Sequence, residues 1–159
     1  MILGIDPGTR FMGYGIIKVD ENKFNMVDFG FFRVDHKIGF PFRLKQIYRF
    51  ILQLIESIRP DMMAVEEVFV SCNAKTTLRL GHARGVILLA AAEKNIPVTE
   101  YAPREVKQAV LGYGGGSKDQ IRRMICQIFN LEIDSVTEDG ADALAVALCH
   151  SMRCSHGFV

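Results

Sequence analysis

The chain opens on "MILGIDPGTRFMGYG", an apolar strand that ends on a carboxylate, Asp6, and breaks at once on Pro7-Gly8. An ionised carboxylate buried alone is very costly, so an acid in this place has to be paired, protonated, solvated or bound to a metal. The chain must therefore fold so that the end of its first strand meets other polar groups. The reading of the remaining sequence turns on which segments supply them.

The strands at 1–6 and 13–19 are joined by the "PGTR" turn, and "DENK" turns the chain into a third strand, "FNMVDFGFFRV", giving an antiparallel meander. In "FRLKQIYRFILQLIESI" the apolar residues fall at 44, 47, 48, 51, 54, 55 and 58, the spacing of an amphipathic helix that stops at Arg59-Pro60. A fourth strand, "MMAVEEVF", comes next. Asn73 is placed to cap a long helix to about Lys94, and "IPVTEY" forms a short fifth strand. Pro103 suits the first turn of a helix over "PREVKQAVL". Ser117 with Gln120, and Ser135 with Glu138, have capping-box spacing and predict helices from about 118 and 138. The order is βββαβαβ followed by helices, an α/β chain whose mixed five-stranded sheet carries helices on both faces.

With 159 residues, 49% of them hydrophobic and 23% charged, the chain is one domain with a core of its own. Its longest apolar run, "GVILLAAA", is far too short to span a membrane, and Met1 leads straight into a strand without a signal sequence, so the expected location is cytoplasmic. Cys72, Cys126, Cys149 and Cys154 form no CxxC pair and read as free thiols. A net charge of +1 argues against a nucleic-acid partner only as a total. Between Lys75 and Arg123 the bases Lys75, Arg79, Arg84, Lys94, Arg104, Lys107, Lys118, Arg122 and Arg123 face only Glu93, Glu100, Glu105 and Asp119, so the middle of the chain is basic.

Asp6 is one of several acids set in apolar surroundings: Glu66 and its neighbour Glu67 in "MAVEEVF", and Asp139 with Asp142 in "EDGADALAVAL". Local roles account for some of these singly, since Asp6 can bond turn amides and Asp139 sits where a helix dipole favours an acid. Asp142 is harder to explain locally. It is a poor helix former among alanines, and its i, i+3 spacing from Asp139 puts both carboxylates on one helix face. The small residues Gly140, Ala141, Ala143 and Ala145 let that helix lie close to a strand. Carboxylates converging from separate segments suit Mg²⁺ or Mn²⁺, and two such ions per subunit serve phosphodiester hydrolysis. Lys75, Arg79 and His82 form a basic stretch at helical spacing that suggests a ridge tracking DNA phosphates or a solvated face, and the apolar part of the same helix suits either the core or a subunit interface.

The segments "GIDPGTRFMGYG", "AVEEVF..NAKTTLRLGHARG", "EYAPREVKQAVLGYGGGSKDQ" and "DGADALAVALCH" together resemble, in order and spacing, the signatures of the RuvC-type Holliday-junction resolvases. The resemblance covers residues 1–152, read as one nuclease domain, and leaves 153–159 as a short tail. It implies a ribonuclease-H-like fold and a homodimeric, Mg²⁺-dependent endonuclease that nicks four-way junction DNA symmetrically in recombination and repair. It also implies that Asp6, Glu66, Asp139 and Asp142 are the metal-binding carboxylates. Between Glu66 and Glu67, whose side chains face opposite ways in a strand, periodicity alone does not choose. Phe69 matches an aromatic set against junction bases, and Lys107 and Lys118 match lysines that contact phosphate. A branch-migration motor complex is a further partner the resemblance leaves open.

Other readings fit less well. "GYGGGSK" lacks the lysine order of a nucleotide-binding phosphate loop, and "CHSMRCSH" lacks a second paired element for zinc. An actin-like ATPase, suggested by "GIDPGT", needs two lobes. A non-catalytic junction-binding module would be expected to lack one of the four acids. A ribonuclease-H-like nuclease acting on RNA or on another DNA structure uses the same chemistry and is the nearest rival.

Overall fold

The computed structural model describes residues 1–21, 23–68 and 73–155. Three antiparallel strands, β1 (Ile2–Asp6), β2 (Phe11–Asp20) and β3 (Lys23–Arg33), are followed by helix α1 (Phe40–Ile58). Strand β4 (Met62–Glu66), helix α2 (Ala74–Glu93) and strand β5 (Val98–Tyr101) come next. Helices α3 (Pro103–Leu111), α4 (Lys118–Phe129) and α5 (Glu138–Ser155) complete the chain. The sheet order is β3-β2-β1-β4-β5, with β4 and β5 running parallel to β1. This is the mixed five-stranded sheet that the sequence predicts. Among the described residues no helix is long and apolar enough to cross a membrane.

Alternation along the central strands divides the core in two. Leu3 and Ile5 of β1, with Met63 and Val65 of β4, pack against α1 and α2 through Ile47, Ile51, Ile55, Ala83 and Ile87. Ile2 and Ala64 point the other way, into the cluster built by α3, α4 and Leu144–Cys149 of α5. Asp6 and Glu66 share the parity of Ile2 and Ala64, so both carboxylates emerge on the α5 side of the sheet. Because β1 and β4 are parallel, with Ile5 opposite Val65, their acidic ends lie side by side.

Helix α5 rests on the sheet almost without intervening side chains. A Cβ added to Gly4 would sit 2.7 Å from the Ala147 nitrogen, one on Gly15 2.6 Å from the Leu144 nitrogen, and one on Gly13 2.7 Å from the Asp139 carbonyl carbon. The small helix residues at this seam are Ala143 and Ala147, while Gly140 faces Phe29. Residues 140–151 of α5 are buried on every side, apart from the half-buried Asp142. The helix surrounded by core is thus α5. In α2, Leu78 and Leu89 stay 63% and 58% exposed.

Several boundaries depart from the sequence reading. Strand β4 ends at Glu66, so Glu67 lies beyond it. The expected cap on α4 is present, with Ser117 Oγ accepting from Gln120 N–H and Gln120 accepting from Ser117 N–H. Ser135 does not cap α5. It lies in a 3-10 turn, its hydroxyl donating to the Glu132 carbonyl, and Thr137 accepts from Gly140 N–H instead. The hydroxyl two residues nearer the helix reaches the third amide without breaking that turn. The last helix also runs on through Ser155, so the first residues of the expected 153–159 tail are helical.

The seam predicts the effect of its smallest perturbation. Gly13→Ala drives a methyl group into the backbone of Asp139, which has no free end to swing aside, and lowers stability by about 1–3 kcal/mol. Urea denaturation checks this, and a variant as stable as its parent would mean that the seam has slack.

Candidate active site

The four acids arrive from three directions at the carboxyl end of the sheet. Asp6 closes β1 and Glu66 closes β4, while Asp139 and Asp142 occupy the first turns of α5. Gly13, the partner of Asp6 across β1 and β2, is also the residue on which the Asp139 backbone rests, which ties the helix acids to the strand acids. Glu66 is half-buried, whereas Glu67 is exposed and its N–H is spent on the Tyr101 carbonyl.

Lys118, the first residue of α4, reaches across to donate a 2.6 Å hydrogen bond to Asp142 Oδ2. With Lys107, Glu66 and Asp142 it lines a cleft of about 250 Å³, floored by Val106, Ile121 and Ala145. Apolar walls around the acids strengthen every charge interaction inside.

The electrostatics show the strain of gathering like charges. Burial pushes the Glu66 carboxyl up to about 7, helped by the Asp142 charge, with Lys118 and Lys107 pulling the other way. Asp6 is raised well above the usual carboxylate range by burial, then by Glu66, Asp142 and Asp139. Burial also raises Asp142, and its bond to Lys118 only partly offsets this. Among the described residues no three acid, histidine or cysteine side chains are drawn to one point. An all-oxygen donor set with surplus negative charge, partly closed off from water, fits a hard divalent cation.

The model of the family described as crossover junction endodeoxyribonuclease RuvC matches residues 2–150. The chain belongs to the RuvC family. The RuvC of Alkaliphilus metalliredigens is 47% identical over 151 residues, covering 95% of this chain and 92% of that protein. The RuvC of Desulforamulus reducens is 46% identical over 155 residues, covering 98% and 95%. Thermus thermophilus RuvC, solved in complex with Holliday junction substrate, matches with a TM-score of 0.90 at 31% identity, covering 99% of this chain and 96% of that one. The match to the known RuvC structure carries the ribonuclease-H-like fold with it.

Of the residues singled out for DNA contact, Lys107 and Lys118 lie at the acids. Lys75 and Arg79 are exposed on the first turns of α2, away from that cleft. Phe69 lies outside the described residues. Sequence reasoning missed a locked pair behind the site, where the buried His150 Nδ1 meets the Tyr101 hydroxyl at 2.8 Å and ties α5 to β5. It also missed Arg10, His36 and Arg43, which gather with Arg79 around a separate cavity. Arg10 stands in the turn directly after Asp6, the one signal available in the sequence.

A carboxyl group whose folded pKa lies above its unfolded one takes up its proton more readily in the native state. The stability that Glu66 allows at acid pH is therefore lost as pH rises from about 4.5 through about 7. With divalent cations removed by chelator, Glu66→Gln is expected to be more stable than the parent at pH 8 by up to about 3 kcal/mol, with a much smaller difference at pH 5. Thermal melts at the two pH values measure it. Equal stabilisation at both would mean that Glu66 carries no excess proton.

Proposed function

We propose that this chain is a structure-selective endonuclease that binds four-way Holliday junctions and resolves them by paired symmetric nicks, in recombination and repair. The observation that supports the reading most directly is that Glu66, Asp139 and Asp142 lie close enough to Asp6 to raise its carboxyl, in a chain that the RuvC family model matches over residues 2–150. These acids hold divalent metal, with Mg²⁺ the proposed ion, Mn²⁺ its substitute and two ions per subunit. When bound, the metal supplies the Lewis acidity that favours attack of water on the phosphodiester and eases departure of the 3′ oxygen.

The protein residues supply position and charge. The parallel ends of β1 and β4 and the first turns of α5 fix the carboxylates on backbone that cannot easily shift. Lys118 and Lys107 face the place where a phosphate enters, and Lys118 stands at a helix start, where the free amides of the first turn also favour an anion. Apolar walls at Val106, Ile121 and Ala145 limit water around the reacting group.

Two nicks on symmetry-related strands call for two sites, and a twofold dimer provides them. The outer face of α2 is the proposed contact. Leu78 and Leu89 are exposed there, and a Cβ on Gly81 or Gly85 would meet nothing within 4 Å. Two glycines inside an exposed helix are each unfavourable by about 1 kcal/mol, a cost that close approach of a partner backbone can offset. Delivery of the junction by a branch-migration motor is the remaining proposed partnership.

The deciding experiment compares a synthetic four-way junction, a linear duplex and an RNA–DNA hybrid, each with Mg²⁺ and with chelator; equal cutting of all three sinks the junction reading. Asp6→Asn is expected to bind the junction as the parent does and to leave it uncut. Glu66→Gln should slow cleavage by at least ~10²-fold, about 2.7 kcal/mol of transition-state stabilisation, while Glu67→Gln does far less. Cleavage lost in Glu67→Gln and kept in Glu66→Gln would move the metal site to the residue just beyond β4. Leu89→Glu should give a folded monomer by analytical ultracentrifugation, with impaired resolution. A dimer that survives this charge places the interface elsewhere.

A further inference from the structure

A second basic cavity lies on the opposite side of the sheet from Lys107 and Lys118. It encloses about 410 Å³ between Thr9, Arg10, His36, Arg43, Thr76 and Arg79, a lining with no carboxylate in it. Among the described residues three arginines outside this cavity are paired with acids, Arg84 with Glu100, Arg123 with Asp119 and Arg153 with Glu105. Among the described residues no acid pairs with Arg10, Arg43, Arg79 or His36. Asp35 is close in sequence, but one of its carboxylate oxygens accepts from Lys37 N–H.

Two of the guanidinium groups are nevertheless held in place. Arg43 Nε donates to the Ile38 carbonyl at 3.1 Å, and a terminal nitrogen donates to the His36 carbonyl. The Arg79 guanidinium lies over the Phe40 ring, 5.5 Å from its centre. Carbonyls and an aromatic face orient a cation while leaving its charge unneutralised. Such an arrangement lowers the entropy lost when an anion arrives, and arginine forks suit phosphate oxygens in particular. The two threonine hydroxyls add uncharged donors of the kind that position nucleic-acid backbones.

From this we infer that the Arg10–His36–Arg43–Arg79 cavity is a second anion site, which takes a non-scissile backbone phosphate of the bound DNA. The inference rests on the junction-nuclease reading and extends it to the far side of the catalytic acids. Arg10 follows Asp6 by four residues, so their Cα atoms are at most about 14 Å apart, the axial rise of roughly four base pairs of duplex. A phosphate held there fixes the DNA on both sides of the bond to be cut, with Lys107 and Lys118 on one flank and the arginines on the other.

The test uses the full chain carrying Asp6→Asn, so that binding is read without cleavage. Fluorescence anisotropy with a labelled four-way junction is followed from about 50 to 200 mM salt. Arg10→Gln is expected to weaken binding several-fold and to reduce the log–log salt slope by about one, whereas Arg10→Lys keeps the slope. Arg43→Gln should behave like Arg10→Gln; if its melting curve reports a loosened fold, the Arg10 pair decides alone. Unchanged affinity and slope in Arg10→Gln overturn the site. A parent that binds linear duplex as tightly as the junction overturns the functional reading instead, and the salt slope on that duplex still judges the cavity.

Discussion

The active end of this molecule depends on a backbone-to-backbone contact. Helix α5 lies on β1 and β2 at Gly4, Gly13 and Gly15, where no side-chain layer separates helix from sheet. In most α/β contacts the distance between helix and strand is set by interdigitating side chains and can relax when one of them changes. Here it is set by peptide groups. Asp139 and Asp142 are therefore brought to Asp6 and Glu66 by the closest approach the chain allows, and the polypeptide meets the repulsion among them with rigidity.

That repulsion is answered locally from one side only. Lys118 bonds Asp142, Lys107 stands near Glu66, and burial keeps Asp6 and Glu66 raised all the same. On the other flank, beyond the turn that follows Asp6, Arg43 and Arg79 are held by carbonyls and a ring. The carboxyl end of the sheet thus carries an acidic centre between two basic margins. A net charge of only +1 conceals this pattern, which suits a polyanion reacting at its backbone.

Much of this could be read from the sequence because the signals were local. The capping pair Ser117 and Gln120, the proline at 103 and the period of the 42–58 segment each specify an element through contacts a few residues apart. Asp142 drew attention because an acid among alanines has no local reason to be there. The choice of Ser135 as a cap failed because two hydroxyls compete within three residues, and only the path of the intervening turn decides between them. The selection of Glu66 over Glu67 came from resemblance, since both faces of β4 are apolar around them; the structure adds that Glu66 shares its parity with Ala64 on the α5 side. Arg10 lies more than twenty residues from His36 and Arg43, in a different turn of the chain, and no spacing rule joins the three.

The raised carboxyl of Glu66 also bears on what the centre needs from its surroundings. With that carboxyl pushed up to about 7 and Asp6 driven upward by burial, the centre is costly to hold fully ionised without counter-charge. Counter-charge brought to the centre, whether a divalent cation or the lysines at its edge, lowers the cost of holding these carboxylates together.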